Sequence, residues 1–405
     1  MRIFVAVRHS NDPQYFYGGL WSGNFYPAIR QLGHEIVESQ VDLLPASRFM
    51  QIAHNFTREE LAARADITQR IIDEARAAHR QRPIDLFLSY FYNSHFDPAG
   101  FDEIRKLGIP SVNFYCNSIY QFGNVSEIAA HADFSWHPEK NARELYLRAG
   151  AKPVWVQMAA DPEVYRPIPE IHRQKKACFI GQRYADRDRW LAALDDANVP
   201  FDIYGAGWNS TAEIAEDLSV RDKVYLSRKQ YRPGSRASYA RAIGENIERE
   251  GLISGLSRTA KQWQYRRETQ SLTPKIVPHA TGRAQNIATT LAAYEVCLNF
   301  SNVWADGRPG SKLIPHVRLR DFEAPMCRTC YLTGHTEEIG EFYKVGKEIE
   351  TYSTADELID KTRFYLDHPN AAERLRSAGY VRARGDHTWQ KRFQELFDKV
   401  GLPKS

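Results

Sequence analysis

The residues with the most chemical promise gather in the second half of the chain. Cys178-Phe179-Ile180-Gly181-Gln182-Arg183-Tyr184-Ala185-Asp186-Arg187 reads as a strand, a glycine turn and the start of a helix carrying arginines. Main-chain N–H groups at a helix N-terminus carry partial positive charge, and a guanidinium fork matches two phosphate oxygens at once. The combination suits a phosphate group, although Arg183 and Arg187 read as well as solvated surface charges. Phe201-Asp202-Ile203-Tyr204 runs into Gly205-Ala206-Gly207-Trp208, where Gly205 and Gly207 permit a close backbone approach, to a ligand or in a plain turn over a core tryptophan. Arg318, Arg320 and Glu323 crowd around a further helix start. In the first half, His9, His95 and His137 stand at or near strand ends, where an imidazole can act as general base toward an acceptor hydroxyl; a structural histidine is the plainer reading of each. Cys327-Arg328-Thr329-Cys330 is a lone C-x-x-C without the two further ligands zinc needs, so it reads as small buried residues at a helix–strand junction. No metal-ligand cluster is legible.

These residues need a scaffold, and the hydrophobic pattern supplies one. Ile3–Val7 is a continuous apolar run of the kind found in strands buried on both faces. After a glycine-bearing loop (Gly18, Gly19, Gly23) comes a helix ending near Gly33, then strand Glu35–Glu38. The alternation continues with helix Arg58–Arg80, opened by a Thr57/Glu60 capping box, and strand Ile84–Tyr90. Helix Phe101–Leu107, strand Val112–Tyr115, strand Ala132–Trp136, helix Pro138–Ala149 and strand Val154–Val156 complete the half. Ala160–Pro169 holds Pro162, Pro167 and Pro169 without periodicity and reads as a linker. Beyond it the rhythm restarts with Lys176–Gly181, Asp186–Asp196 and Phe201–Gly205. It breaks over about 209–290, and returns with strand Val296–Asn299, helix Phe322–Cys327, strand Cys330–Thr333 and three helical segments between Thr354 and Val400. The prediction is an α/β protein of two Rossmann-like, doubly wound domains facing a cleft, with a helical insertion in the second. The domains are 1–160, a linker at 161–169, 170–375 with the insertion at about 209–290, and C-terminal helices over 376–405 that cross back to the first domain.

Composition narrows the class. The 405 residues suffice for two cores, and 43% hydrophobic with 26% charged residues excludes global disorder. No apolar run reaches the roughly 20 residues of a membrane span, and the N-terminus is too short in apolar residues for a signal peptide. Five cysteines, few and odd in number, fit a reducing cytoplasm better than a disulfide framework. The chain has 54 Lys/Arg against 50 Asp/Glu. That near balance hides an asymmetry: Arg221–Arg283 holds 14 basic and 5 acidic residues, the remainder 40 and 45. Tyr225, Tyr231, Tyr239, Trp263 and Tyr265 interleave with the basic residues. The insertion therefore reads as a contact for an anionic partner (an anionic acceptor, a lipid phosphate surface or nucleic acid), or as a solvated helical arm.

One ordered series of motifs goes further. Asn299-Phe300-Ser301, Arg320-Asp321-Phe322-Glu323 with Cys327, Leu332-Thr333, Gly346-Lys347-Glu348-Ile349 with Tyr352, and His387-Thr388 with Arg392 follow one another in that order. The passage resembles the C-terminal half of group 1 glycosyltransferases of the GT-B fold, in particular the spore-maturation, CgeB-like branch. Phe179-Ile180-Gly181, Tyr204-Gly205-Ala206-Gly207-Trp208 and the Asp161–Pro167 linker fit the same template, so the resemblance covers about 150–400. It implies a cytoplasmic bacterial transferase of the hexosyl type that moves a sugar from a UDP-, GDP- or dTDP-linked donor to a glycan, protein or small-molecule acceptor, with no cofactor and no obligatory metal. It implies that Glu323 accepts hydrogen bonds from the donor ribose, and that Arg183 and Arg187, with Arg318 or Arg320, hold the diphosphate with Gly181, Gly205 and Gly207 nearby. Fixed cations there would stabilise the charge that grows on the leaving nucleoside diphosphate. His387 would cap the last helix. There is one departure: Pro315 stands where related enzymes often carry a second glutamate, with His316 as neighbour, which leaves the stereochemistry open. Glu323 also reads as an acid complementing a helix dipole. Two rivals remain from the sequence, a non-catalytic GT-B-fold binding protein using the basic insertion, and a sugar-nucleotide epimerase.

Overall fold

In the computed structural model, residues 1–11, 19–208 and 236–403 are described. The expected loop residue Gly18, Tyr225 and Tyr231, and the part of the insertion over 209–235 lie outside them. The chain divides into two compact units: the first comprises Met1–Asp161 with Thr388–Ser405, the second the described residues from Pro162 to His387.

The first unit is built on six parallel strands: β1 (Arg2–Ala6), β2 (Glu35–Glu38), β3 (Leu86–Ser89), β4 (Ser111–Phe114), β5 (Phe134–His137) and β6 (Pro153–Trp155), in the order β2-β1-β3-β4-β5-β6. Ile3, Phe4, Leu86, Phe87, Val112 and Trp136 are fully or almost fully buried, as helices on both faces of a parallel sheet require. Helix Leu20–Gln31 starts earlier than expected and takes Gly23 into its first turn. Helix Arg58–Gln81 opens on the expected capping box, with Thr57 Oγ1 accepting from Glu60 N–H and the Glu60 carboxylate accepting from Thr57 N–H. Helix Trp389–Lys399 completes this unit. Trp389 is buried against Phe25, Trp21 and Trp136, and its Nε1–H donates to Asn24 at 3.0 Å. Thr388, not His387, caps that helix by accepting from Lys391 N–H. The crossing also begins later than position 376: helix Pro369–Asp386 stays with the second unit.

The second unit holds five parallel strands: β7 (Gln174–Ile180), β8 (Phe201–Tyr204), β9 (Tyr294–Asn299), β12 (Cys330–Gly334) and β13 (Glu350–Tyr352), in the order β13-β12-β9-β7-β8. The stretch around Gly307 and Gly310, expected as loop, is flanked by an antiparallel pair, β10 (Asn302–Trp304) and β11 (Leu313–Pro315). The described part of the insertion is a helical hairpin, Arg236–Glu250 and Leu252–Ile276, turned at Gly251. Both sheets leave their first strand in one direction and later return to its other side. Those reversals lie between β1 and β3 and between β7 and β9, and at such points the strand ends open a crevice for ligands.

Candidate functional site

The carboxyl ends of β7 and β9 deliver two loops to the reversal of the second sheet. After β7 the chain turns at Gly181 and enters helix Arg187–Asp196, and after β9 it runs through Phe300, Ser301 and Asn302. Helix Arg320–Met326 starts close by, placed by Asp321. This fully buried carboxylate accepts from Arg318 N–H (2.6 Å), Tyr331 Oη (2.8 Å), Thr333 Oγ1 (2.8 Å) and Asn299 Nδ2 (3.3 Å). It thereby ties the helix start to the ends of β9 and β12. Burial holds the Asp321 carboxyl above its ordinary range.

Arg187 and Arg318 meet at this reversal. Arg187 is buried, its ring neighbours being Phe179 and Tyr184, and its Nη1 donates to the Gln182 carbonyl at 2.5 Å. Arg318 Nη2 donates to the Asn302 carbonyl at 2.9 Å. Nε of each guanidinium is buried and without a hydrogen-bond acceptor. Burial, reinforced by the charge of Arg318, pulls Arg187 down to about 9, so it is still a cation at neutral pH. Two like charges share a desolvated corner, where their repulsion is weakly screened. Asn302 links this pair to a cavity of about 180 Å³ lined by Trp190, Phe300, Ser301, Asn302, His335 and Tyr352, among others. Trp190 and Tyr352 stand edge to face at 5.4 Å, and Asn302 Nδ2 donates to Asp186 Oδ2 at 2.6 Å. A dianion at the guanidinium pair and a flat ring in the aromatic cavity are what this corner is shaped to accept.

Other expected residues are employed differently. Arg183 is bound to Asp188 at 2.5 Å and donates to the Thr269 carbonyl and Thr273 Oγ1, which fastens the Leu252–Ile276 helix to the domain. The N–H groups of Gly181 and Arg183 are spent on the carbonyls of Tyr204 and Ala206, so this turn offers no backbone cradle. Gly205 is explained by packing: at φ +133°, an added Cβ would lie 2.2 Å from the Gly181 carbonyl oxygen. Gly207 faces the Arg183 side chain, and Trp208 covers the turn through a bond from Nε1 to the Gly181 carbonyl. Arg320 and Glu323 form a buried ion pair at 2.7 Å, and Tyr165 bonds the same carboxylate. Glu323 is thus occupied internally, and meeting a ribose requires that pair to open.

The histidines also part company. His95 is fully buried, its Nδ1 accepting from Tyr92 N–H while Nε2 meets Ser47 Oγ, and burial keeps it well below the usual imidazole range. His137 stacks on Tyr146, its Nδ1 bonds the Glu139 carbonyl, and burial pulls it to about 4. His9 follows the end of β1 at the reversal of the first sheet. Its Nε2 faces the Tyr90 carbonyl at 2.7 Å, which places the proton on Nε2 and leaves Nδ1 the basic nitrogen; burial lowers it to about 4. Cys327 and Cys330 are buried free thiols, and among the described residues no group of three or more His, Cys, Asp or Glu is placed to hold a metal ion. Sequence reading missed Asn302, Trp190 and His335, and gave no site role to Tyr352 and Asp186, which stood within motifs it noted. Asn302 and Tyr352 lie at the edges of motifs already noticed; Trp190, one helical turn after Asp186, gave no signal.

Residues 236–398 match the family described as glycosyl transferase-like. That match spans 163 of the 405 residues, from the helical hairpin into the last helix. No curated protein matches the chain in sequence. Among solved structures, a glycosyltransferase from Rickettsia africae superposes with a TM-score of 0.57 at 9% identity, over 98% of this chain and 97% of that one. The avilamycin A glycosyltransferase AviGT4 gives 0.54 at 12%, over 99% and 97%. Sucrose-phosphate synthase from Thermosynechococcus elongatus gives 0.53 at 11%, over 99% of both chains. At such identities the likeness is one of fold, and it extends to both Rossmann-like units: this is the fold of the GT-B glycosyltransferases. Among the described residues no helix is long and apolar enough to cross a membrane.

Proposed function

We propose that the protein transfers a sugar from a nucleotide-sugar to an acceptor hydroxyl, with the donor bound in the second unit and no metal required. One observation carries the reading: Arg187 and Arg318 sit together at the sheet reversal with main-chain carbonyls, not carboxylates, as their hydrogen-bond partners and a buried Nε apiece left over. The leaving diphosphate is the natural counter-charge, and its negative charge grows in the transition state, when two fixed cations help most. The cavity beside Asn302 would take the base. The uridine nucleotides in the solved complexes of Anabaena HepE, a structure of this fold, favour a UDP-linked donor. The ordered motifs favour the CgeB-like branch, and the free thiols suit a reducing cytoplasm. Within the first unit, His9 is the histidine favoured as base, because it stands at the reversal of the first sheet with Nδ1 unprotonated.

Calorimetric titration with UDP, GDP and dTDP tests this. Micromolar binding of at least one, weakened tenfold or more in Arg187→Ala and in Arg318→Ala, is expected. Binding of none of them, or binding indifferent to both substitutions, would overturn it.

A further inference from the structure

The N-terminal half of the Leu252–Ile276 helix turns its apolar side chains outward, the wrong sense for a hairpin that serves only its own domain. Its inward side is polar and anchored. Gly255 packs on the backbone of Ile247, Thr259 and Gln262 meet Asn246, Arg258 binds Glu250 and Asp306, and Thr269 and Thr273 accept from Arg183. Its outward side carries Leu252, Ile253, Leu256 and Trp263, exposed by 62%, 85%, 49% and 60%. At 100° per residue, Leu252, Leu256 and Trp263 fall within about 40° of one another, with Arg267 directly beyond. A helix that serves only its own domain shows the reverse arrangement, and an apolar stripe left in water marks a contact.

Charge selects the contact. From Gly251 to Arg267 there is no Asp or Glu, and besides the ion-paired Arg258 this stretch carries Lys261, Arg266 and Arg267. Arg266 and Arg267, both exposed, flank the stripe on its two sides, and the Arg267 guanidinium lies over the Trp263 ring at 5.6 Å. Leucine and isoleucine at one end, a tryptophan further on and cations at the margin are the composition of a helix lying flat in a lipid interface: the apolar side chains enter the acyl boundary, the indole stays at headgroup depth and the cations meet lipid phosphates. A second copy of the chain would bring the same positive margin against itself. We infer that this hairpin docks the protein on an anionic bilayer surface.

The full-length protein, co-sedimented with vesicles of phosphatidylcholine alone or with 30% phosphatidylglycerol, tests the inference. Binding to the anionic vesicles, little to the neutral ones, and a blue-shifted tryptophan emission lost in Trp263→Phe are expected. Ile253→Ser/Trp263→Ser and Arg266→Glu/Arg267→Glu should each lower partitioning tenfold or more. All these side chains are exposed, so the melting temperature and nucleotide affinity should be unchanged, which separates failure here from failure of the transferase reading. Absence of binding to anionic vesicles, binding that neither double variant weakens, a concentration-dependent dimer abolished by Ile253→Ser/Trp263→Ser, or capture by RNA without vesicle binding would each overturn it.

Discussion

Arginines that look alike in the sequence do opposite work, and substitution should separate them. Arg187 and Arg318 hold unspent donors at the sheet reversal. Replacing either with alanine should weaken nucleoside diphosphate binding by tenfold to a hundredfold, about 1.4–3 kcal/mol, with only a modest change in melting temperature. Arg183 spends its charge on the buried carboxylate of Asp188, which burial pushes above its usual range. Arg183→Ala strands that carboxylate and should cost about 3–5 kcal/mol of stability, read as a lower denaturation midpoint, while the folded fraction keeps its nucleotide affinity. Asp321→Asn puts an amide donor among four existing donors; a loss of about 2–4 kcal/mol is expected in urea unfolding. Both the promising guanidiniums and the structural one were legible as residue types. Their difference was not, because it depends on whether a carboxylate from another part of the fold arrives beside them.

At the scale of elements, strands and helices were readable wherever burial imposes a strict period. β1 and β3 are nearly continuous apolar runs because both faces of a parallel sheet are covered. The pair β10–β11 escaped because its strands are short and its buried residues, Val303 and Trp304, sit among glycines and charges. Strand ends also govern acid stability. His137, held near 4 by burial, gains a proton at about 6.5 in the unfolded chain. The unfolded state therefore binds more protons between those values, so the stabilisation is complete above pH 6.5 and is lost as pH falls toward 4. His137→Asn, which keeps a donor near Nδ1, should flatten the decline of melting temperature between pH 6.5 and 4.5; an unchanged slope would assign that decline to other groups. Gly205→Ala should prevent folding or cost more than about 3 kcal/mol, since its Cβ meets a carbonyl oxygen that cannot retreat.

For the whole molecule, the return of the C-terminus to the first unit is a matter of core volume. Trp389 and Phe393 fill space among Phe25, Trp136 and Phe114 that no residue of Met1–Asp161 occupies. Trp389→Ala should destabilise by about 3–5 kcal/mol, and a chain ending at His387 should lose the near-ultraviolet circular dichroism of that tryptophan cluster. The basic insertion works at this scale too: it is pinned to the second unit by polar contacts and turns its apolar stripe outward.

The alternation of apolar runs with amphipathic segments determined two Rossmann-like units, because a parallel sheet buried on both faces admits few other patterns. The order of the motifs carried the resemblance to glycosyltransferases in the second half of the chain. What only the tertiary structure decided was partnership. Asp188 neutralises Arg183, Glu323 neutralises Arg320, and the Gly181 and Gly205 turns close on each other, while Arg187 and Arg318 are brought together with hydrogen bonds to spare. Whether a charge is structural or available depends on neighbours brought together from distant parts of the chain, and no local spacing records them.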